Sequence, residues 1–246
     1  MVPLRPHLAS TRYAGKITGN TPFVRILVLA CLILFLPRPV LHSAEPAEFL
    51  NRWLDHQTNL HAWSADFTQT RSLRTLTRPL TATGHVWFAA PGLFRWELGQ
   101  PPQTIAVRQT NQIVILYPKL RRAETYPLDG EQAGPWRDAL ALLEAGFPRS
   151  RPELENRFLI RGIALQESRC EVDLEPRSAG ARRMMPLIRL GFSTNDLNLV
   201  MTELRFADGS TLRNDFTNMT VNPELDETLF QPEIPDGFKV VSPRTK

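Results

Sequence analysis

The stretch Gly84–Leu98, GHVWFAAPGLFRWEL, constrains the fold more than any other part of the chain. Two runs rich in β-branched and aromatic residues flank Ala89-Ala90-Pro91-Gly92, a turn signal. After the turn, Phe94, Trp96 and Leu98 share one face of a strand, and Leu93, Arg95 and Glu97 share the other. Before it, Val86 and Phe88 oppose Trp87. The pattern predicts a β-hairpin, or two strands at a corner, with large apolar groups on one side. In an ordinary sheet that side packs against a helix. What this face meets therefore decides what the protein does.

Around this hairpin the chain reads as short strands with few helices. Glu45–Leu60 has Phe49, Leu50, Trp53, Leu54 and Gln57 at helical spacing, with Pro46 suited to a first turn. Ser64–Thr70 is a strand with Phe67 as its apolar anchor, and Arg71–Thr81 is basic and Thr-rich, a connection or an irregular strand. Pro101-Pro102 breaks the ladder before Thr104–Arg108, where Ile105 and Val107 share a face, and Ile113–Tyr117 is nearly continuous apolar strand. Gly134–Pro148 carries the clearest helical stripe: Trp136, Ala139, Leu140, Leu143 and Phe147, with Gly146 placed as C-cap and Pro148 as stop. Strands are then expected over Phe158–Leu165, Arg169–Leu174, Leu187–Phe192, Leu199–Phe206 and Thr211–Phe216. Asp208-Gly209 is a hairpin signal. Such spacing points to an antiparallel sandwich or barrel and not to β-α-β units. Twenty-one prolines in 246 residues agree with strands and turns over long helices.

The basic balance of the chain is a property of its first residues. Residues 1–44 hold Arg5, Arg12, Lys16, Arg25 and Arg38 and no acid, and include the apolar run Ile26–Leu36. That run is short for a bilayer span and suits the h-region of a signal peptide, with cleavage after Ala44. Removing five of 29 basic residues and none of 25 acidic ones turns the formal net charge of +4 into −1. The charge is no argument for nucleic-acid binding. Two alternatives stand beside cleavage at Ala44. Val28-Leu29-Ala30-Cys31 loosely imitates a lipoprotein cleavage box that would leave an acylated Cys31, and an uncleaved segment would serve as a membrane anchor. After cleavage at Ala44 the single remaining cysteine, Cys170, has no partner for an internal disulfide. Export to a bacterial periplasm is the compartment this predicts, with residues 45–246 as one domain.

No catalytic or metal-binding set nominates itself. His56 and His61 lack the i, i+4 spacing of a helical metal pair, and His85 has no Cys or carboxylate nearby in ligand spacing. There is no Gly-x-Ser-x-Gly elbow, no phosphate-cradling glycine loop, and Cys170 has only Arg169 beside it. The reading is a non-enzyme without metal or cofactor. A curved sheet of this size encloses side chains or a ligand. If its inner face is wide, the aromatics line a cavity and the Gly134–Pro148 helix becomes a lid. Each buried acyl CH₂ then contributes about 0.8 kcal/mol.

Several motifs in order resemble the periplasmic outer-membrane lipoprotein carriers, the LolA-like proteins. They are Ala65-x-Phe67-x-Gln69, Gly84-x-Val86-Trp87-Phe88, Pro91-Gly92-Leu93-Phe94-Arg95-Trp96 and Gln100-Pro101, continued by Ile113–Pro118. Toward the C-terminus come Gly209-x-Thr211, Phe216-x-Asn218, Asn222 and Phe230-x-Pro232-x-Ile234-Pro235-x-Gly237. The resemblance covers nearly all of Glu45–Val241. It implies a mainly β fold, an unclosed antiparallel β-barrel of about ten or eleven strands, with helices over its open hydrophobic face. It implies a monomeric carrier that takes lipoprotein acyl chains, or another lipid, from an inner-membrane ABC exporter to an outer-membrane acceptor. A membrane-anchored acceptor or a lipid or stress sensor of the same fold is the alternative. On the resemblance, the cavity or lid residues are Phe67, Val86, Phe88, Phe94, Trp96, Ile105, Val107 and Ile115, with Trp136, Leu140 and Leu143 from the lid helix. One position departs from the family pattern: the arginine expected just before the motif proline, which is thought to tie the lid shut, is Ala90.

Overall fold

The computed structural model describes residues 46–128 and 146–242. The chain begins there with helix α1 (Pro46–Gln57), whose buried side chains Leu50, Trp53, Leu54 and Gln57 keep the spacing of one helical stripe. Six strands follow: β1 (Ala62–Ser72), β2 (Leu80–Ala89), β3 (Leu93–Leu98), β4 (Thr104–Arg108), β5 (Gln112–Tyr117) and β6 (Arg122–Pro127). Each pairs antiparallel with the next, as the short turns between them require.

A second meander uses β7 (Phe158–Leu165), β8 (Arg169–Pro176), β9 (Leu187–Ser193), β10 (Leu199–Arg205) and β11 (Thr211–Val221), again antiparallel at every step. β11 pairs with β1 and fuses the two meanders. The result is one sheet in the order β12-β6-β5-β4-β3-β2-β1-β11-β10-β9-β8-β7, with β12 (Lys239–Val241) laid parallel on β6. The end strands β7 and β12 do not pair with each other, so the sheet is unclosed.

The sheet has twelve strands where about ten or eleven were expected. The additional pairing comes from the C-terminal tail, whose three-residue strand is too short and too charged at Lys239 to announce itself by alternation. Two short helices were also unforeseen. Helix α2 (Arg151–Arg157) begins at Ser150, whose side chain accepts from the Glu153 amide. Helix α3 (Ala179–Met184) begins at Ser178, which accepts from the Ala181 amide. Both are N-cap devices that hold a single turn or two of helix without a long apolar stripe. The Gly134–Pro148 helix falls, up to residue 145, outside the described residues, as do residues 1–45.

Register sorts the side chains onto two faces. On one, Trp63, Ala65 and Phe67 of β1 face Phe88, Val86 and Gly84 of β2, which face Phe94, Trp96 and Leu98 of β3. Helix α1 covers the β8–β9 part of this face, with Trp53 stacked on Phe192 at 5.0 Å between ring centroids. Cys170, Val172 and Leu174 lie fully buried in the same cluster. Filling of that side by α1 supplies the main core.

The opposite face is charged. Asp173, Arg189, Glu203 and Arg213 stand in register across β8, β9, β10 and β11, and Arg189 clasps Asp173 with two hydrogen bonds of 2.6 and 2.9 Å. Farther along, the C-terminal tail covers this face of β3–β6. Phe238 and Ile105 pack on the cluster of Val114, Leu116 and Ala123, while Arg95 donates to the Leu229 carbonyl at 3.2 Å.

Candidate functional site

An apolar cavity of about 290 Å³ opens on the uncovered part of the first face, lined from both meanders. Its size sits at the small end of ligand pockets. Val86, Phe88, Phe94 and Trp96 of the central hairpin form one wall, with Ala106, Ile113 and Ile115 beyond them. Ile188, Leu190, Leu199, Leu204, Leu212 and Phe216 form the other. β-Strand alternation explains the arrangement: Trp96 pairs with Val86 on one side and Ala106 on the other, and Ala106 pairs with Ile115, so all four project together.

The wall is braced from the side and closed at one corner by aromatics. Phe67 is almost fully buried, with its ring centroid 3.9 Å from that of Trp96. It supports Trp96 and does not itself line the cavity. Phe147 stacks on Phe88 at 4.3 Å and tilts against Trp63 at 5.2 Å, which in turn meets Phe216 edge-on. Offset and edge-on pairs of this kind add to simple area burial.

One polar row crosses this apolar surface. Gln69 Nε2 donates to Asn214 Oδ1 at 3.0 Å, and Asn214 Nδ2 donates to Thr202 Oγ1 at 3.0 Å. The three residues stand in register on β1, β11 and β10 and all line the cavity. Asn214 is buried and spends its amide within the row. Gln69 and Thr202 retain the geometry to offer a donor or acceptor to a bound polar group.

Two of the expected cavity residues stand on the other face. Ile105 and Val107 pair with Glu97 and Arg95, so they lie under the C-terminal tail. The residue between them, Ala106, faces the cavity. Their alternation was legible, but its phase relative to Trp96 depends on the length of the β3–β4 turn, which sequence alone does not fix. Val86, Phe88, Phe94, Trp96 and Ile115 stand in the wall. Trp136, Leu140 and Leu143 lie outside the described residues.

The largest omission from the sequence reading is the second wall. Ile188 and Leu190, or Leu212, Asn214 and Phe216, alternate as clearly as Phe94 and Trp96 do, and that signal was available. What was missing is the β1–β11 pairing that brings them opposite the hairpin. At the Ala90 turn another arginine takes part. Arg95 points away, pairing with Glu97 at 2.6 Å. Arg108, opposite Phe94 on the cavity face, donates to the Gly92 carbonyl of the same turn.

Potential reactive groups stand elsewhere. Burial pushes the Cys170 thiol up to about 11, which suits an inert core residue. His85 Nδ1 lies 2.6 Å from Asp66 Oδ1 on the opposite face, and hydrogen bonds from Asn218 and His85 hold the Asp66 carboxyl below its usual range. Among the described residues no group of three or more His, Cys, Asp or Glu is placed to hold a metal ion.

Comparison with known proteins bears on what such a cavity is for. The family model described as outer membrane lipoprotein carrier protein LolA matches residues 58–233. The outer-membrane lipoprotein carrier protein of Dechloromonas aromatica (strain RCB) is 27% identical over 217 residues, covering 88% of this chain and 96% of the relative. That of Nitrosomonas europaea is 28% identical over 218 residues, covering 88% and 97%. Among solved structures, an uncharacterized conserved protein from Thermus thermophilus is similar with a TM-score of 0.46 at 13% identity, covering 80% of this chain and 98% of that one.

Proposed function

The chain belongs to the outer membrane lipoprotein carrier family, LolA, and from that premise we propose that it is a periplasmic, non-catalytic carrier of acyl chains. The cargo is a lipoprotein, or another lipid, taken up from the inner membrane and released at the outer membrane. The observation that carries this reading is the apolar cavity between the Val86, Phe88, Phe94 and Trp96 wall and the Ile188–Leu190 and Leu204–Leu212 wall. Its binding energy comes from burying methylenes, at about 0.8 kcal/mol each. An inner-membrane exporter as donor and an outer-membrane acceptor complete the proposal, in keeping with the family.

Handover sets a limit on this energy. Cargo moves on only if the acceptor binds it better than the carrier does. A cavity of about 290 Å³ fits this requirement, since it takes in less apolar surface than the largest ligand pockets. The Gln69–Asn214–Thr202 row gives the apolar space one polar reference, where an ester or amide carbonyl of the cargo finds a donor. Organic extraction of the gently purified protein followed by mass spectrometry tests the proposal. An acyl-bearing species in near-stoichiometric amount is the expected result. A lipid-free protein that takes up no acyl chain from micelles would contradict it.

A further inference from the structure

Strand direction places five connections at one end of the sheet, one of them the uncharged β3–β4 turn at residues 99–103. β1 and β2 meet there at Arg71 and Leu80, β5 and β6 at Tyr117 and Arg122, β9 and β10 at Leu187 and Arg205, and β11 starts there opposite Ser72. The other connections are residues 73–79, 118–121 and 206–210, with α3 leading into β9. This same end carries exposed apolar side chains: Leu76 at 44%, Leu80 at 54%, Leu120 at 70% and Met184 at 42% of full exposure. Single exposed apolar residues are ordinary, but several gathered at one end of a sheet among basic residues mark a contact surface.

Their neighbours are basic. Arg74 and Arg78 alternate with Leu76 and Leu80, Lys119 and Arg121 flank Leu120, and Arg182 and Arg183 precede Met184; all are exposed. The chain has no Asp or Glu between Asp66 and Glu97. Arg74 donates to the Asp208 carbonyl at 3.3 Å, which holds the 73–79 connection against the β10–β11 turn. Four strand spacings separate the centres of the 73–79 and 118–121 connections, about 20 Å along the sheet edge.

We propose that this end of the sheet docks on anionic phospholipid bilayers. The leucines enter the headgroup–acyl boundary, and the arginines and Lys119 lie along the phosphates with their aliphatic stems over the apolar groups. Each basic residue near such a surface contributes roughly a fivefold gain in partition at physiological salt. A few of them give weak, reversible contact, which suits a protein that must leave the membrane again. The surface is separate from the cavity, since none of Leu76, Leu80, Leu120 or Met184 lines it.

Vesicle flotation of the full chain tests the docking. The vesicles are phosphatidylethanolamine with about one-third phosphatidylglycerol, against pure phosphatidylcholine as the neutral control. Partition on the anionic vesicles should exceed that on the neutral ones and fall with added salt. Arg78→Gln with Lys119→Gln should lower it about fivefold per residue, and Leu76→Ser with Leu120→Ser should lower it further, at unchanged melting temperature. Trp96→Glu, in the cavity wall, should leave vesicle partition as it was while acyl uptake falls. Loss of vesicle partition in Trp96→Glu would instead assign the contact to the cavity and overturn the inference. Equal partition on both vesicle types, or no effect of the loop substitutions, would also overturn it. No partition on either would do so too, and would leave an acidic protein surface as the partner these side chains fit.

Discussion

Gly84 lies directly opposite Phe67 in the β1–β2 register, and the Phe67 ring occupies the space a side chain at Gly84 would need. A Cβ there would overlap both that ring and the Glu97 carbonyl. The glycine lets Phe67 lie over β2 and pack, tilted, beside Trp96, and so sets the position of the cavity wall.

Gly84→Ala is therefore expected to destabilise the fold by about 1–3 kcal/mol, since the added methyl group overlaps the Glu97 backbone carbonyl as well as the Phe67 ring. Urea unfolding checks the figure. The displaced Phe67 should also move Trp96, so a shift in tryptophan fluorescence should accompany the loss.

The polar row makes a separate prediction. Asn214→Leu removes the partner of both Gln69 and Thr202, leaving polar groups in an apolar wall at a cost of about 1–3 kcal/mol. Binding should lose its preference for ester or amide probes over a hydrocarbon of equal length, as measured by competition with a fluorescent acyl probe. An unchanged preference would mean that the row serves the sheet alone.

Cys170 should be silent in the native protein. It is fully buried, and burial pushes its thiol up to about 11. The thiolate that reacts with alkylating reagents is then scarce at pH 8, and α1 blocks access. Peptide mapping after iodoacetamide should find Cys170 unmodified in buffer and modified in denaturant.

The hairpin was the most legible part of this protein. Gly84–Leu98 combines a strong turn with strict alternation, both of them local signals, and it forms paired strands with Phe94 and Trp96 on the cavity side. The family membership followed from residues in and around it. Less legible was anything that depends on partners distant in the chain. Ile105 and Val107 have the right pattern on the wrong face, because a turn of unknown length sets their phase. The second wall, from Ile188 to Phe216, reaches the hairpin only through the β1–β11 pairing of residues about 150 apart. The β12 strand depends on a parallel contact with β6 that three residues cannot signal.

The adjacent residues Ala106 and Val107 offer the most direct test of the central claim, because one faces the cavity and the other the covered opposite side. The measurement is the dissociation constant of a fluorescent fatty-acyl probe for the delipidated protein and two variants. Ala106→Trp should fill the cavity and weaken binding at least about tenfold, or roughly 1.4 kcal/mol, with the fold retained. Val107→Ala should cost about 1–3 kcal/mol of stability and leave the dissociation constant unchanged. If both variants bind the probe as the parent does, or if the parent binds none, the face of Phe94 and Trp96 is an ordinary core surface and the carrier account is wrong.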